Sequence, residues 1–232
     1  MNCPHCRVAL KHRERSGRRC GRCRREFVFE PRENPWRLTD LRVRHAAEWL
    51  GDGGRFRYTL GQLAAAVGRG FPPPNFRETM LLRWAAVHGS LPAGLVNELS
   101  PIEAPPPTRP VGAHVMCPDR SVGACLLAND VQREFGVLVH ADRPPPGPQP
   151  VLLFDDPTER AAETRLAALR ASRHRAIVVG PSTSKIGLVR IRPSVLVEWL
   201  ALAVRAEARY RAGARKASAV DFLDWPQVTG VD

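Results

Sequence analysis

Four cysteines fall in two pairs at the start of the chain, Cys3-Pro-His-Cys6 and Cys20-Gly-Arg-Cys23, with the thirteen residues 7–19 between them. A two-residue gap lets both sulfurs of a pair turn onto one metal ion. Two such pairs supply the four soft ligands of a closed tetrahedral site. The segment around them has little else with which to build a core, since Val8, Leu10, Phe27, Val28 and Phe29 are its main apolar residues. Metal binding, on the order of 10–16 kcal/mol in zinc-finger peptides, stabilises what so few side chains cannot. The spacing therefore predicts one structural Zn²⁺ held by Cys3, Cys6, Cys20 and Cys23. His5 and His12 are then exposed neighbours rather than ligands, because four sulfurs fill the site.

This arrangement resembles the zinc-ribbon family over residues 1–35, and the resemblance implies a structural rather than a catalytic metal. The loop between the pairs carries Lys11, Arg13, Arg15, Arg18 and Arg19 beside a single acid, Glu14, and Arg22, Arg24 and Arg25 surround the second pair. Such a display fits contact with a phosphate backbone without readout of sequence; a solvated loop in an arginine-rich chain is the competing explanation. The whole chain has a formal charge of +12 over 232 residues, with 35 basic and 23 acidic side chains, of which only Lys11, Lys185 and Lys216 are lysine. That skew also follows from a GC-rich genome, so position says more than the total. Residues 1–35 hold ten basic side chains against four acidic ones.

No apolar run approaches the roughly 20 residues of a membrane-spanning helix, and the first ligand cysteine leaves no room for a secretory leader. The expectation is a cytoplasmic protein with reduced thiols and no membrane partner. The stretch Asp52-Gly-Gly-Arg-Phe-Arg-Tyr-Thr59, with Gln62-Leu63 behind it, resembles one that follows ribbons in bacterial proteins of unknown role, and it brings no activity with it.

Proline runs at 72–74, 101–110 and 144–150 divide the rest, because proline fixes φ and removes a donor. The reading is a ribbon at 1–35, a helical module at 36–100, a proline-rich linker at 101–110 and an α/β domain at 111–232. In the module, Thr39 or Asp40 caps a helix with Leu41, Ala46, Trp49 and Leu50 inward. Thr59 caps a second through Leu60, Leu63, Ala64 and Val67, and a third runs over 75–88. Three helices with Arg42, Arg44, Arg55 and Arg57 could form a helix-turn-helix variant, but plain packing is preferred. After Val111, strands at 114–117, 137–140, 151–154, 177–179 and 188–191 alternate with helices at 122–135, 157–172 and 193–212. Alternation of this kind specifies a small, mostly parallel sheet flanked by helices, flavodoxin- or Rossmann-like.

Carboxylates follow three of those strands: Asp119, Asp142, and the adjacent Asp155 and Asp156. Parallel strands converge their carboxyl ends on one ligand-binding edge, where Asp119, Asp155 and Asp156 could hold Mg²⁺. The loop 180–185, ending at Lys185, offers hydroxyls and an amine to a phosphate. The outline distantly resembles TOPRIM-type enzymes and phosphoacceptor receiver domains. A TOPRIM site, however, takes a glutamate after its first strand and an Asp-x-Asp later, and a receiver takes an acidic pair at its first strand. Asp156-Pro157 also reads as an ordinary helix start. Cys117 and Cys125 read as buried thiols. The final helix buries Val195, Leu196, Trp199, Leu200 and Ala203 and ends in a basic patch of Arg205, Arg209, Arg211, Arg215 and Lys216. Beyond it, Phe222, Leu223 and Trp225 could dock on the domain or on a protein partner.

Three functions follow from the sequence. The first is non-catalytic contact of the ribbon with nucleic acid or a nucleoprotein assembly. The second is an Mg²⁺-dependent phosphoryl-transfer or nuclease-type enzyme. The third is a protein–protein adaptor.

Overall fold

The computed structural model describes residues 1–34, 36–68, 75–142, 144, 147, 149–156, 159–180 and 187–223, the description of Ser16 and of 213–223 being confined to the backbone. Pro72–Pro74, Pro157, Lys185 and Trp225 lie outside the described residues, as do the side chains of Arg215, Lys216, Phe222 and Leu223. No helix among the described residues is long and apolar enough to cross a membrane.

The protein is α/β, with the cysteine segment at its amino end. A 3-10 helix, His12–Arg18, lies between two isolated antiparallel bridges, Asn2–Ala9 and Arg19–Glu26. Helix α1, Asp40–Gly51, starts at Thr39, whose hydroxyl accepts the Arg42 N–H at 3.2 Å, a cap contributing about 1 kcal/mol. It stops at Asp52, which takes the left-handed φ of 45° and is followed by Gly53 and Gly54 at 67° and 90°. Helix α2, Leu60–Val67, begins with a reciprocal capping box. Thr59 Oγ1 accepts from Gln62 N at 3.2 Å while Gln62 Oε1 accepts from Thr59 N at 3.0 Å. The third helical stretch is α3, Phe76–Glu78, then a π-helical turn, Thr79–Trp84, then α4, Ala85–His88. These elements enclose Val43, Leu50, Tyr58, Leu63, Met80 and Trp84, and the core also takes in Val28 and Phe29 from the cysteine segment.

Two differences from the sequence reading stand out in this module. Trp49 does not point inward; it is 50% exposed and lies under the Arg192 guanidinium at 5.4 Å, while Val43 and Ala47 complete the buried stripe with Leu50. The region also holds a two-residue parallel ladder, β1 (Tyr58–Thr59) on β2 (Leu95–Val96).

The carboxyl-terminal sheet has four parallel strands: β3 (Ala113–Met116), β4 (Val137–His140), β5 (Val151–Phe154) and β6 (Ala176–Val179). Their spatial order is β4-β3-β5-β6, with Val115 opposite both Val139 and Leu152, and Leu152 opposite Ile177. This is the second-first-third-fourth order of the flavodoxin-like layout, not that of a Rossmann half. Side chains alternate faces with the strand period. Val115, Leu152 and Phe154 pack with Val122, Leu126, Leu196 and Leu200 of α5 (Arg120–Ala128) and α8 (Pro193–Leu223). On the opposite face Met116, Val151 and Leu153 pack with Leu169 of α7 (Arg160–Ala171).

The expected strand at 188–191 is a 3-10 turn, Leu188–Arg190, closed by Arg190 N to Gly187 O at 2.9 Å and Ile191 N to Leu188 O at 3.0 Å. Leu188 is buried and the Ile191 carbonyl accepts from Gln62 Nε2 at 3.2 Å, so these apolar residues fill a corner rather than extend the sheet. The helix expected over 122–135 is two: α5 stops at Asn129, Asp130 takes a left-handed φ of 55°, and α6 runs Val131–Phe135. The position before α7 is Glu159, not Asp156. Helix α8 extends past 212 to Leu223.

Asn129 explains the break before α6. Its amide accepts from Arg57 N at 2.9 Å and donates to Arg57 O at 2.8 Å, so it pairs with the backbone leading into β1 as a strand would. Beside it Thr59 and Ser121 join hydroxyl to hydroxyl. A Cβ added at Gly61 would lie 2.6 Å from Ser121 Oγ and 3.1 Å from Glu98 Oε1. Gly61→Ala should therefore destabilise the chain by about 1–3 kcal/mol in denaturant titration. Adding Ser121→Ala should recover part of that loss, and additive losses would show that the contact is not the cause.

Candidate metal centre

The four sulfurs are brought together by two chain segments of the same shape. Cys3 N donates to Val8 O at 2.9 Å and Arg7 N to Cys3 O at 3.1 Å. In the second pair Cys20 N donates to Arg25 O at 2.9 Å and Arg24 N to Cys20 O at 2.9 Å. The residue after each pair, Arg7 or Arg24, takes a left-handed φ of 62° or 61°. Such a backbone costs a side-chain-bearing residue roughly 1–2 kcal/mol, which cohesion around the four sulfurs must offset. Gly21 is a steric requirement, since its N–H meets Glu14 O at 2.7 Å and a Cβ there would stand 2.8 Å from the same oxygen.

The resulting geometry fits one tetrahedral ion. Cys3 Sγ lies 3.7 Å from Cys23 Sγ, Cys6 Sγ lies 3.9 Å from Cys20 Sγ, and all four sulfurs are within 4.8 Å of one another. Bonds of ~2.3 Å to a shared centre imply sulfur–sulfur edges of about 3.8 Å, nearly twice a disulfide bond. Among the described residues this is the one group of three or more metal-ligating side chains. Its own core is only Cys3, Leu10 and Cys20, with Val8 and Cys23 partly packed against them.

The thiols are not equivalent. Burial pushes Cys3 up to about 12. Burial acts in the same direction on Cys20, but the N–H groups of Cys23 and Arg22 outweigh it and hold this thiol at about 7. A metal that binds all four as thiolates must displace protons, above all the one on Cys3.

Buried polar groups carry the position of the centre into the helical core. Arg44 donates to Pro4 O at 3.2 Å and shares a hydrogen bond with His88 Nδ1 at 3.1 Å. His88 Nε2 meets Asp40 Oδ2 at 2.7 Å, and the Asp40 carboxylate accepts from Val28 N at 2.9 Å and from Phe29 N at 2.8 Å. The sequence offered Asp40 only as an alternative helix cap. Nothing in the local pattern marks it, Arg44 or His88, because their partners lie 11 to 48 positions away. His5 is also engaged, through Nε2 to Glu26 O at 2.7 Å, whereas His12 is exposed.

The basic residues of the cysteine segment divide by partner. Arg15 is buried and faces Glu30 at 3.0 Å, so it is not part of the exposed set expected from the sequence. Arg18 pairs with Glu33 at 2.5 Å and Arg19 with Glu26 at 2.6 Å. Lys11, Arg13, Arg22, Arg24 and Arg25, joined by Arg7 and Arg32, are exposed, and their side chains make no ion pair or hydrogen bond among the described residues.

Asp119 and Asp155 at the sheet edge have local partners, whereas Asp142 is exposed. Asp119 caps α5, accepting from Ser121 N at 2.8 Å and Val122 N at 3.1 Å. Asp155 binds Arg165 Nε at 2.6 Å and Asp156 N at 3.0 Å, and Asp156 is itself buried. Cys117 and Cys125 are buried free thiols, both pushed up by burial, Cys125 to about 12. Of the basic patch on α8, Arg205 and Arg209 are exposed. Arg211 is tied to Glu207 at 3.1 Å and to Gly112 O at 2.8 Å.

Metal affinity should rise with pH through the neutral range, because lower pH restores the protons that the ligands must lose. Calorimetric titration with Co²⁺ in buffers of different ionisation enthalpy should show proton release on binding. One ion per chain and a thiolate-to-metal absorption band are expected, and Cys3→Ser should lose both. A chain that binds no Co²⁺, or binds without releasing protons, would contradict the site. Comparison of the chain with protein-family models, with curated proteins and with solved structures returns no match, so the character of this centre rests on its geometry.

Proposed function

We propose that the cysteine centre holds a structural Zn²⁺ and that the ribbon built on it is a non-catalytic contact for the phosphate backbone of nucleic acid, free or within a nucleoprotein assembly. Zinc suits a closed site of four thiolates with no open position. The observation that carries the reading is the division of the basic side chains. All four acids of residues 1–35 have partners: Glu14 accepts from Lys11 N, Glu26 and Glu33 pair with Arg19 and Arg18, and Glu30 faces Arg15. Seven exposed cationic side chains are left without a carboxylate among the described residues, on a segment whose zinc removes the conformational freedom that binding would otherwise have to order. Guanidinium groups match phosphate oxygens bidentately, and contacts of this kind position a protein on nucleic acid without reading bases. No reaction is assigned to the sheet edge, since Asp119 and Asp155 are engaged in a cap and an ion pair. A cytoplasmic setting, where thiols remain reduced, belongs to the same reading.

Zinc-loaded protein should bind a generic DNA duplex at low salt in fluorescence anisotropy. The logarithm of the affinity should fall linearly with that of salt, by about 0.9 per phosphate contact. Replacing Arg22, Arg24 and Arg25 together by alanine should weaken binding and flatten that slope by about 2 to 3. Arg19→Ala should change little. Absence of binding at low salt, or a triple variant with the parent's slope, would reject the reading.

A further inference from the structure

The four sulfurs differ in exposure and in the hydrogen bonds they accept. Cys3 and Cys20, the first of each pair, are 0% exposed, and each accepts a backbone N–H at 3.4 Å, from His5 and from Cys23 respectively. Cys6 is exposed, and no N–H reaches its sulfur among the described residues. Cys23 likewise lacks an N–H but is half-buried. An N–H···S bond draws electron density from a thiolate and lowers its nucleophilicity, and burial blocks approach. Both effects protect Cys3 and Cys20 and neither protects Cys6. The next residue is Arg7, exposed and unpaired, in the electropositive surroundings that favour reaction of a thiolate with small oxidants. Cys20 Sγ is 3.9 Å from Cys6 Sγ, close enough to resolve an oxidised sulfur after a small movement.

We propose that Cys6 is an oxidative modification site for small hydroperoxides and that Cys20 resolves the product, so that oxidation opens the metal centre. The inference rests on the metal occupancy put forward above and adds a means of regulating it. The Cys6 thiolate attacks the terminal peroxide oxygen; the O–O bond breaks, an S–O bond forms, and hydroxide leaves from hydrogen peroxide, or alkoxide from an organic hydroperoxide. Cys6 is then a sulfenic acid. The Cys20 thiolate attacks the Cys6 sulfur, the S–S bond forms, the S–O bond breaks and hydroxide leaves. Two sulfurs have given up two electrons and the peroxide has accepted them, while the metal keeps its oxidation state. Only Cys3 and Cys23 remain as thiolate ligands, too few for a closed tetrahedral site, so the ion departs and the small core around Leu10 loses its cross-link.

The test uses the full chain loaded with zinc, its metal content measured first. A chain without zinc would defeat the occupancy on which the inference rests; a chain with zinc isolates the inference itself. Hydrogen peroxide is added in the presence of a chromogenic zinc chelator and a sulfenic-acid trap, followed by peptide mass mapping. The trap should label Cys6 first. Without the trap, a Cys6–Cys20 linked peptide should accumulate with one zinc released per disulfide. Cys6→His keeps four ligands and should slow peroxide-driven release at least tenfold. Should that variant hold no zinc, the order of labelling in the unaltered chain decides alone. First labelling of Cys3, Cys20 or Cys23, a disulfide that omits Cys6, or metal that stays bound once the disulfide has formed would each overturn the proposal.

Discussion

Asp40 is the buried charge on which the amino-terminal half is organised. It is 0% exposed, and an isolated carboxylate in that position would cost several kcal/mol of lost hydration. The structure meets it with two backbone donors, Val28 and Phe29, and with His88, whose other ring nitrogen meets Arg44. Since the Arg44 guanidinium can only donate, the pattern assigns the His88 proton to Nε2, facing Asp40. One carboxylate thus fixes where the chain leaves the cysteine segment, where α1 starts and where α4 ends. Through Arg44 and the Pro4 carbonyl, the same chain of contacts reaches the first cysteine pair. Removing any member leaves a buried polar group unmatched, so these elements are coupled in position as well as in stability.

A second set of polar contacts joins the helical module to the α/β part. Asn129 pairs with the backbone of Arg57, Thr59 meets Ser121, Gln62 reaches the Ile191 carbonyl, and Glu98 binds both Gly61 N and Arg77. Gln62 shows how closely the levels are tied. The same side chain closes the capping box of α2 and bonds a carbonyl 129 positions away. The proline-rich stretch 101–110 separates two segments of sequence, yet residues on either side of it share buried hydrogen bonds. A boundary drawn from composition marks where the chain is stiff and extended; it says nothing of which surfaces pack.

What could be read in advance was what depends on near neighbours. The cysteine pairs, the Thr39 and Thr59 caps, the glycine stop after α1 and the four apolar strand cores are local signals. The quartets Ala113–Met116 and Val151–Phe154 are buried at every position, and Ala176–Val179 at both ends, so short, largely apolar runs identify them even though Val137–His140 is buried only at Val137. The misreadings have one physical cause. Leu188 and Ile191 are apolar enough for a strand, but they pack into the core under the sheet while Gln62 takes the Ile191 carbonyl. Asn129 and Asp130 interrupt a helix that their neighbours would continue, because a distant backbone segment pairs with Asn129. Trp49 sits outside the buried stripe because Arg192, from another part of the chain, lies over its ring. Asp40, Arg44 and His88 form a network that no spacing rule anticipates. Local pattern determines most elements and their caps, and long-range polar contacts account for the breaks that it misses.

The arginine excess is the case where structure changes the meaning of a composition. Counted along the sequence, every arginine of the cysteine segment is an equal candidate for phosphate contact, and genome bias explains them all equally well. Pairing separates them. Arg15, buried against Glu30, is a packing residue whose charge is met inside the fold. The Arg18–Glu33 and Arg19–Glu26 pairs are solvent-accessible and contribute little stability, about 0–1 kcal/mol each. Their larger effect is to occupy the acids that would otherwise neutralise their neighbours. Four thiolates with one divalent ion subtract two charges from the segment, fewer than the seven exposed cations left over, so its field stays positive once metal is bound. Three of the four acids pair with Arg15, Arg18 and Arg19, and Glu14 accepts the Lys11 backbone N–H, so among the described residues none pairs with the side chain of an exposed cation left over. Pairing, not composition, therefore decides which charges of the segment remain available at its surface.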